Sequence, residues 1–196
     1  MSDSVKDLNP HGLYLEISKF NTTIYPRSNA KKYIYVVGGF SRSKKNFLSS
    51  INTLDSIERF DIDTGVWQNY KGMCHPRSSH GVAVLDRKIV VAGGEDASLI
   101  SDSVECFDPD ENYWTPLPSM KHPRYGLGLA SLSGCLYAFG GYVGTEVGGS
   151  VEKYNEKERT WTVVDKMPHP RFAMAVVEYE GILALLLFCI TLIYQV

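Results

Sequence analysis

Residues 103–124 read SVECFDPDENYWTPLPSMKHPR. Forty-seven positions earlier, residues 56–77 read SIERFDIDTGVWQNYKGMCHPR, and 47 positions later residues 150–171 read SVEKYNEKERTWTVVDKMPHPR. Trp67, Trp114 and Trp161 mark the interval, and a set of other residues recurs in phase with them. Glu58, Glu105 and Glu152 recur, as do Met73, Met120 and Met167. The triplet His-Pro-Arg ends at Arg77, Arg124 and Arg171, and the glycine pair Gly93-Gly94 recurs as Gly140-Gly141. A period of this length marks an array of supersecondary units, each too small to bury its own apolar face.

Within the middle unit, GVAVL (81–85), IVVAGG (89–94), SVECFD (103–108) and NYWTPL (112–117) are short apolar or alternating runs separated by turn residues. They predict four strands per unit, and no segment carries a sustained helical period. Four short strands in nearly 50 residues is the layout of a propeller blade. The turn between the third and fourth strands ends at Gly65 in one unit and Asn112 in the next, both tolerant of the left-handed conformation. Arg159 holds that place in the third unit, where left-handed backbone should cost about 1 kcal/mol.

Composition is that of a folded chain, with 44% hydrophobic and 21% charged residues. Twenty basic and 22 acidic residues give a net charge of −2, which argues against a general nucleic-acid binder. The one basic cluster, Arg42-Ser43-Lys44-Lys45, reads as a solvated loop. Cys74, Cys106, Cys135 and Cys189 form no CxxC pair and read as reduced thiols of a cytoplasmic protein. The N-terminus has no apolar core of a secretory signal.

The glycine pairs end strands without a following Lys-Ser or helix, so they predict close backbone approach and not phosphate binding. The tryptophans are expected to pack blade against blade, each burying on the order of 200 Å². No acid recurs beside the three histidines in sequence, so no metal or cofactor is expected there. The repeated Glu58, Glu105 and Glu152 are expected to pair with Arg77, Arg124 and Arg171 inside a blade.

These features together resemble the kelch repeat: two glycines, V-E-x-[FY]-D/N, Trp six residues past the Asp or Asn, Met, then Pro-Arg. IYVVGGF (34–40), VECFDP (104–109), MKHPR (120–124) and YAFGGY (137–142) carry it, over roughly residues 31–181. The pattern is most similar to the propellers of BTB-kelch (kelch-like) proteins. The fold so implied is an all-β, partial propeller of about three four-stranded blades plus the start of a fourth. Blade one spans 31–76, with Gly38-Gly39 and an inserted loop at 41–55; blade two spans 77–123 and blade three 124–170. A fourth blade starts at 171–181, flanked by an N-terminal extension (1–30) and a divergent apolar tail (182–196).

The resemblance implies a non-catalytic protein-interaction module. In kelch-like propellers the substrate is held by the loop after the paired glycines and the loop after Pro-Arg, while BTB and BACK domains dimerise and bind a cullin-type ubiquitin-ligase scaffold. Carried onto this chain, those loops place Phe40, Arg42, Glu95 and Tyr142, and Ser78, Ser79 and Tyr125. Some relatives bind actin instead, which is the alternative partner. A more distant alternative is a copper oxidase built on the same fold, for which no local signature is visible. Only about 30 residues precede the first repeat, fewer than BTB and BACK domains need. Blade one lacks a convincing innermost strand.

The period predicts glycines at 187 and 188, where the chain has Leu187 and Phe188. Residues 182–194 are apolar apart from Thr191, well short of the roughly 20 residues of a membrane span. A replaced C-terminus is the favoured reading, with a degenerate strand and a membrane anchor as alternatives. Repeat arrays draw stability from interfaces between neighbours. Open faces should therefore leave the chain marginally stable or self-associating.

Overall fold

The computed structural model describes residues 33–42, 51–96, 99–179 and 181–187. The expected N-terminal extension, most of the inserted loop of blade one and the tail beyond Leu187 lie outside the described residues. Chain order in blade one is β1 (Tyr33–Val37), β2 (Phe40–Arg42), β3 (Ile51–Thr53), β4 (Ile57–Asp61) and β5 (Val66–Tyr70). Blade two has β6 (Gly81–Leu85), β7 (Lys88–Ala92), β8 (Glu95–Asp96), β9 (Leu99–Ile100), β10 (Val104–Asp108) and β11 (Tyr113–Leu117). Blade three follows with β12 (Gly128–Leu132), β13 (Cys135–Phe139), β14 (Tyr142–Val143), β15 (Glu146–Val147), β16 (Ser150–Asn155) and β17 (Thr160–Lys166). Last come β18 (Met174–Tyr179) and β19 (Ile182–Leu187).

Blades two and three are four-stranded antiparallel meanders, β6-β7-β10-β11 and β12-β13-β16-β17. Blade one has only β1-β4-β5 and lacks its first strand among the described residues. No described residue is helical. The architecture is all-β and propeller-like. Each glycine pair also opens a small ribbon, β2-β3, β8-β9 and β14-β15. Strands of two or three residues carry no readable alternation, so these ribbons have no sequence signature.

The first strands of successive sheets lie against one another. A Cβ at Gly81 would stand 2.6 Å from the Leu129 Cβ, so only glycine lets β6 and β12 approach this closely. Between the sheets lies the core. Ile57, Met73, Ile89, Val91, Phe107 and Trp114 fill the first gap, with Tyr35, Val37 and Tyr70 packed against them. Val90, Ala92, Val104, Leu136, Ala138, Tyr154 and Trp161 help fill the second. Strand β7 is sandwiched, so Ile89 to Ala92 are all buried, and its sequence is a continuous apolar run. β1 has one covered face, and its burial alternates instead.

That difference corrects one expectation. Trp114 and Trp161 are buried between blades, but Trp67 is 53% exposed. Its neighbours Ile34 and Val36 share the uncovered face. The repeat makes the residues equivalent; only a preceding sheet could bury them.

Turn chemistry follows the expected sites. Gly65, Asn112 and Arg159 all adopt positive φ, at 70°, 50° and 52°. The Asp or Asn that opens each turn caps it: Asp61, Asp108 and Asn155 accept backbone N–H groups two and three residues on. Residues 182–187, expected to belong to a divergent tail, form β19, paired with β18 from Tyr179↔Ile182 to Met174↔Leu187. The earlier blades turn away at a left-handed glycine, whereas Leu187 stands at that position and the strand simply continues.

His80 sits where blades one and two meet. A Cβ at Gly38 would lie 2.8 Å from its Cε1, and one at Gly94 would lie 2.9 Å from its Cβ. Its Nδ1 is buried without a hydrogen-bond partner. Burial, and secondarily the Arg77 guanidinium, pulls the imidazole down from 6.5 to about 4. The unfolded chain therefore binds more protons than the folded one between those values, and stability falls as pH drops from 6.5 to 4. The loss should be on the order of 3 kcal/mol. The equivalent positions hold the buried Leu127 and Met174, so His80→Leu should flatten this part of the acid limb in urea titrations. An unchanged slope would mean that His80 is not the group responsible.

Candidate interaction surface

Blades are locked together at the glycine pairs. Gly39 N–H donates to the Arg77 carbonyl at 2.9 Å, Gly94 to that of Arg124 at 2.8 Å and Gly141 to that of Arg171 at 2.8 Å. The first glycine of each pair, at φ 57°, 66° and 53°, leaves space for the same carbonyl. A Cβ on Gly38 would stand 2.7 Å from the Arg77 oxygen. The glycines are conformationally required and sterically required at once.

From that seat the arginine side chain turns into its own blade. Arg124 donates through Nη1 to the Gly140 carbonyl (2.7 Å) and through Nη2 to Ser150 Oγ (2.9 Å) and Glu152 Oε1 (2.6 Å). Arg77 repeats this with Gly93 (2.9 Å), Ser103 (2.9 Å) and Glu105 (2.5 Å). Glu152 Oε2 also accepts the Lys121 N–H at 2.7 Å, and Glu105 Oε2 that of Cys74 at 2.8 Å. Arg124 and Glu152 are both fully inaccessible. Burial lowers the pKa of the Arg124 guanidinium, and Glu152 opposes that shift. Glu58 on β4 and Arg171 after β17 make no such pair among the described residues.

The histidines have acids beside them after all. His122 Nδ1 lies 2.9 Å from Glu152 Oε1, and His75 Nδ1 lies 3.8 Å from Glu105 Oε1. The acids arrive from β10 and β16, the third sheet strand of the following blade, so proximity in sequence misses them. Among the described residues no three His, Cys, Asp or Glu side chains converge as a metal site would need.

Above these locks lie the loops singled out for binding. Ser78 and Glu95 exchange backbone hydrogen bonds at 2.9 Å each way. Tyr125 and Tyr142, their counterparts one unit on, exchange bonds of 3.2 and 2.7 Å. The Tyr125 and Tyr142 rings stack at 5.4 Å. Neighbouring loops are also joined: Gly126 N–H donates to Ser79 O at 2.6 Å, and Ala173 N–H to Gly126 O at 2.8 Å. The result is a backbone-linked ledge spanning Ser79, Gly126 and Ala173, all with positive φ.

Phe172, absent from the expected set, extends the ledge. It is 48% exposed and meets Tyr142 edge-on at 5.8 Å. Its signal was available, since it stands one period after Tyr125. Ser78 is a correction, because it is buried and its hydroxyl turns to the Glu95 carbonyl at 3.4 Å. Ser79 is exposed. Phe40 is exposed at the start of β2, and Arg42 ends that strand opposite Ile51. Both belong to the ribbon of blade one, apart from the tyrosine pair.

The Kelch motif matches residues 30–73, 76–121 and 123–168. The chain therefore belongs to the kelch-repeat family, whose repeats form protein-interaction modules. Over 75 residues it is 36% identical to "Kelch repeat and BTB domain-containing protein 1" of cowpox virus (strain Brighton Red), and 35% identical to the protein of that name in ectromelia virus (strain Moscow). It is 37% identical over the same length to the vaccinia virus (strain Copenhagen) protein of that name. The matched stretch covers 36% of this chain and 12% of each of those proteins.

Proposed function

We propose that this chain is the substrate-recognition part of a cullin-type ubiquitin-ligase adaptor working in the cytoplasm, and that the ledge of Tyr125, Tyr142 and Phe172 holds the substrate protein. The observation that carries this reading is the set of partly exposed aromatic rings on loops tied to one another by backbone hydrogen bonds. Aromatic anchors on a rigid frame are what protein recognition surfaces use, because little side-chain entropy is lost on contact. The BTB domain in the names of the viral relatives supports an adaptor context.

Tyr125→Ala combined with Tyr142→Ala should weaken capture of a partner protein by tenfold or more, with the thermal melt unchanged. Affinity purification with mass spectrometry measures it. Loss of a ubiquitin-ligase substrate in the double variant supports the proposal. Tyr-dependent capture of actin would favour a cytoskeletal role, and capture that ignores both tyrosines would remove the ledge from the account.

Self-association is a second proposed property. Ile34, Val36 and Trp67 are each about half exposed, while their counterparts Ile89, Val91 and Trp114 are buried at 5% or less. An apolar blade face that no described residue covers should associate in a concentration-dependent way. Sedimentation velocity showing a monomer at high concentration, together with a cooperative melt, would count against it.

A further inference from the structure

We infer that the ledge of blades two and three receives a basic segment of the partner protein, with an arginine or lysine side chain over the Tyr125–Tyr142 pair and Glu95 as its counter-charge. This rests on the reading of the ledge as a protein-recognition surface.

Charge distribution is the first support. The segments that build the ledge and its ribbons are 78–79, 93–103, 125–127, 140–150 and 172–173. They contain Glu95, Asp96, Asp102 and Glu146 and no lysine or arginine; of the arginines that flank them, Arg77 and Arg124 are buried in ion pairs with Glu105 and Glu152, and Arg171 precedes Phe172. The chain as a whole is nearly balanced, with 20 basic and 22 acidic residues, so this is a local asymmetry. A like-charged partner would be repelled and a basic one steered in.

The tyrosines are the second support. Elsewhere this chain covers tyrosine rings with its own cations. The Arg59 guanidinium lies 4.0 Å from the Tyr33 centroid and 4.9 Å from that of Tyr70, and the Lys71 ammonium lies 4.6 Å from that of Tyr113. Among the described residues no cation stands over Tyr125 or Tyr142. Stacking turns one face of each ring to the other, so a cation held within about 6 Å is attracted to the outer negative face of the pair. Glu95 is held by its backbone pairing with Ser78, whose neighbour Ser79 accepts the N–H of Gly126, next to Tyr125. After burial, its carboxylate is the main cause of the raised pKa of the Tyr125 phenol. A recess lined by Glu95, Asp96, Leu99, Ile100 and Asp102, and also by His75 and the buried, Glu105-paired Arg77, offers apolar surface for an aliphatic stem and carboxylates for a second basic group.

The test uses the full chain and two fluorescein-labelled peptides, (Gly-Arg-Ser)3 and (Gly-Glu-Ser)3, read by fluorescence polarisation. The arginine peptide should bind at least tenfold more tightly than the glutamate peptide and weaken with salt. Tyr142→Ala and Glu95→Gln should each reduce its affinity about tenfold with unchanged melts, and Tyr142→Phe should retain it. Equal binding of both peptides, or arginine-peptide binding indifferent to Tyr142→Ala and Glu95→Gln, overturns the inference. Tighter, Tyr142-dependent binding of the glutamate peptide also overturns it while leaving the ledge as a recognition surface. The ledge itself fails only if natural partner capture also ignores Tyr125 and Tyr142.

Discussion

Arg124→Leu is expected to lower the unfolding free energy by about 3–5 kcal/mol, the cost of stranding a buried charge. The guanidinium is completely buried and serves five acceptors: the Gly140 carbonyl, the Ser150 carbonyl and hydroxyl, Glu152 and, at 3.5 Å, the His122 carbonyl. Leucine leaves the Glu152 carboxylate inaccessible and without its arginine, and it removes the side-chain donor of the Gly140 carbonyl, while the Ser150 carbonyl keeps the Gly140 N–H. Domains of this size are stable by only about 5–15 kcal/mol, so the variant should be largely unfolded at modest urea. Arg124→Lys should recover little, because a single ammonium cannot reproduce the fork. The double variant Arg124→Leu/Glu152→Leu should cost less than the sum of the single changes, since neither charge is then stranded. Urea titrations of the parent, Arg124→Leu, Arg124→Lys, Glu152→Leu and the double variant measure this. A loss near 0.5 kcal/mol for Arg124→Leu would show that the pair does not hold the blade.

Trp161→Ala should cost about 3–5 kcal/mol, as deletion of a buried aromatic does. The indole is buried between blades two and three, meets the Tyr154 ring at a tilt with centroids 5.3 Å apart, and donates to the Pro118 carbonyl at 2.9 Å. Alanine removes the filler of that gap and the blade-to-blade hydrogen bond together. Trp67→Ala changes the same repeat position and should cost under about 1 kcal/mol, because that ring faces outward. Equal losses at the two sites, read from the same urea titrations, would contradict the assigned interfaces.

Much of the fold was legible because blades are local objects. Strand alternation, the left-handed turn sites at Gly65, Asn112 and Arg159, and the glycine pairs act over a few neighbouring residues. Each repeats with the period, so each was testable three times within one chain. The candidate surface was half legible. Tyr125 and Tyr142 stand at positions that the resemblance indicated, and a further step of 47 would have added Phe172. Ser78 was misplaced, because a serine looks the same in sequence whether its hydroxyl faces solvent or a carbonyl. The acids beside His75 and His122 were missed because they come from strands about 30 residues further along.

By itself the sequence determined the repeated unit: its four strands, its turns, its Arg, Glu and Trp at fixed places, and membership of the kelch-repeat family. The tertiary structure alone decided which copies of those residues matter. Trp67 and Trp161 are identical in the pattern and opposite in burial, since burial depends on whether another sheet lies against that face. The stacked Tyr125–Tyr142 pair and the Arg124–Glu152 pair likewise exist only where chain folding brings separated segments to contact distance. A linear period describes what each blade offers, and the neighbouring blade settles whether the offer is taken up.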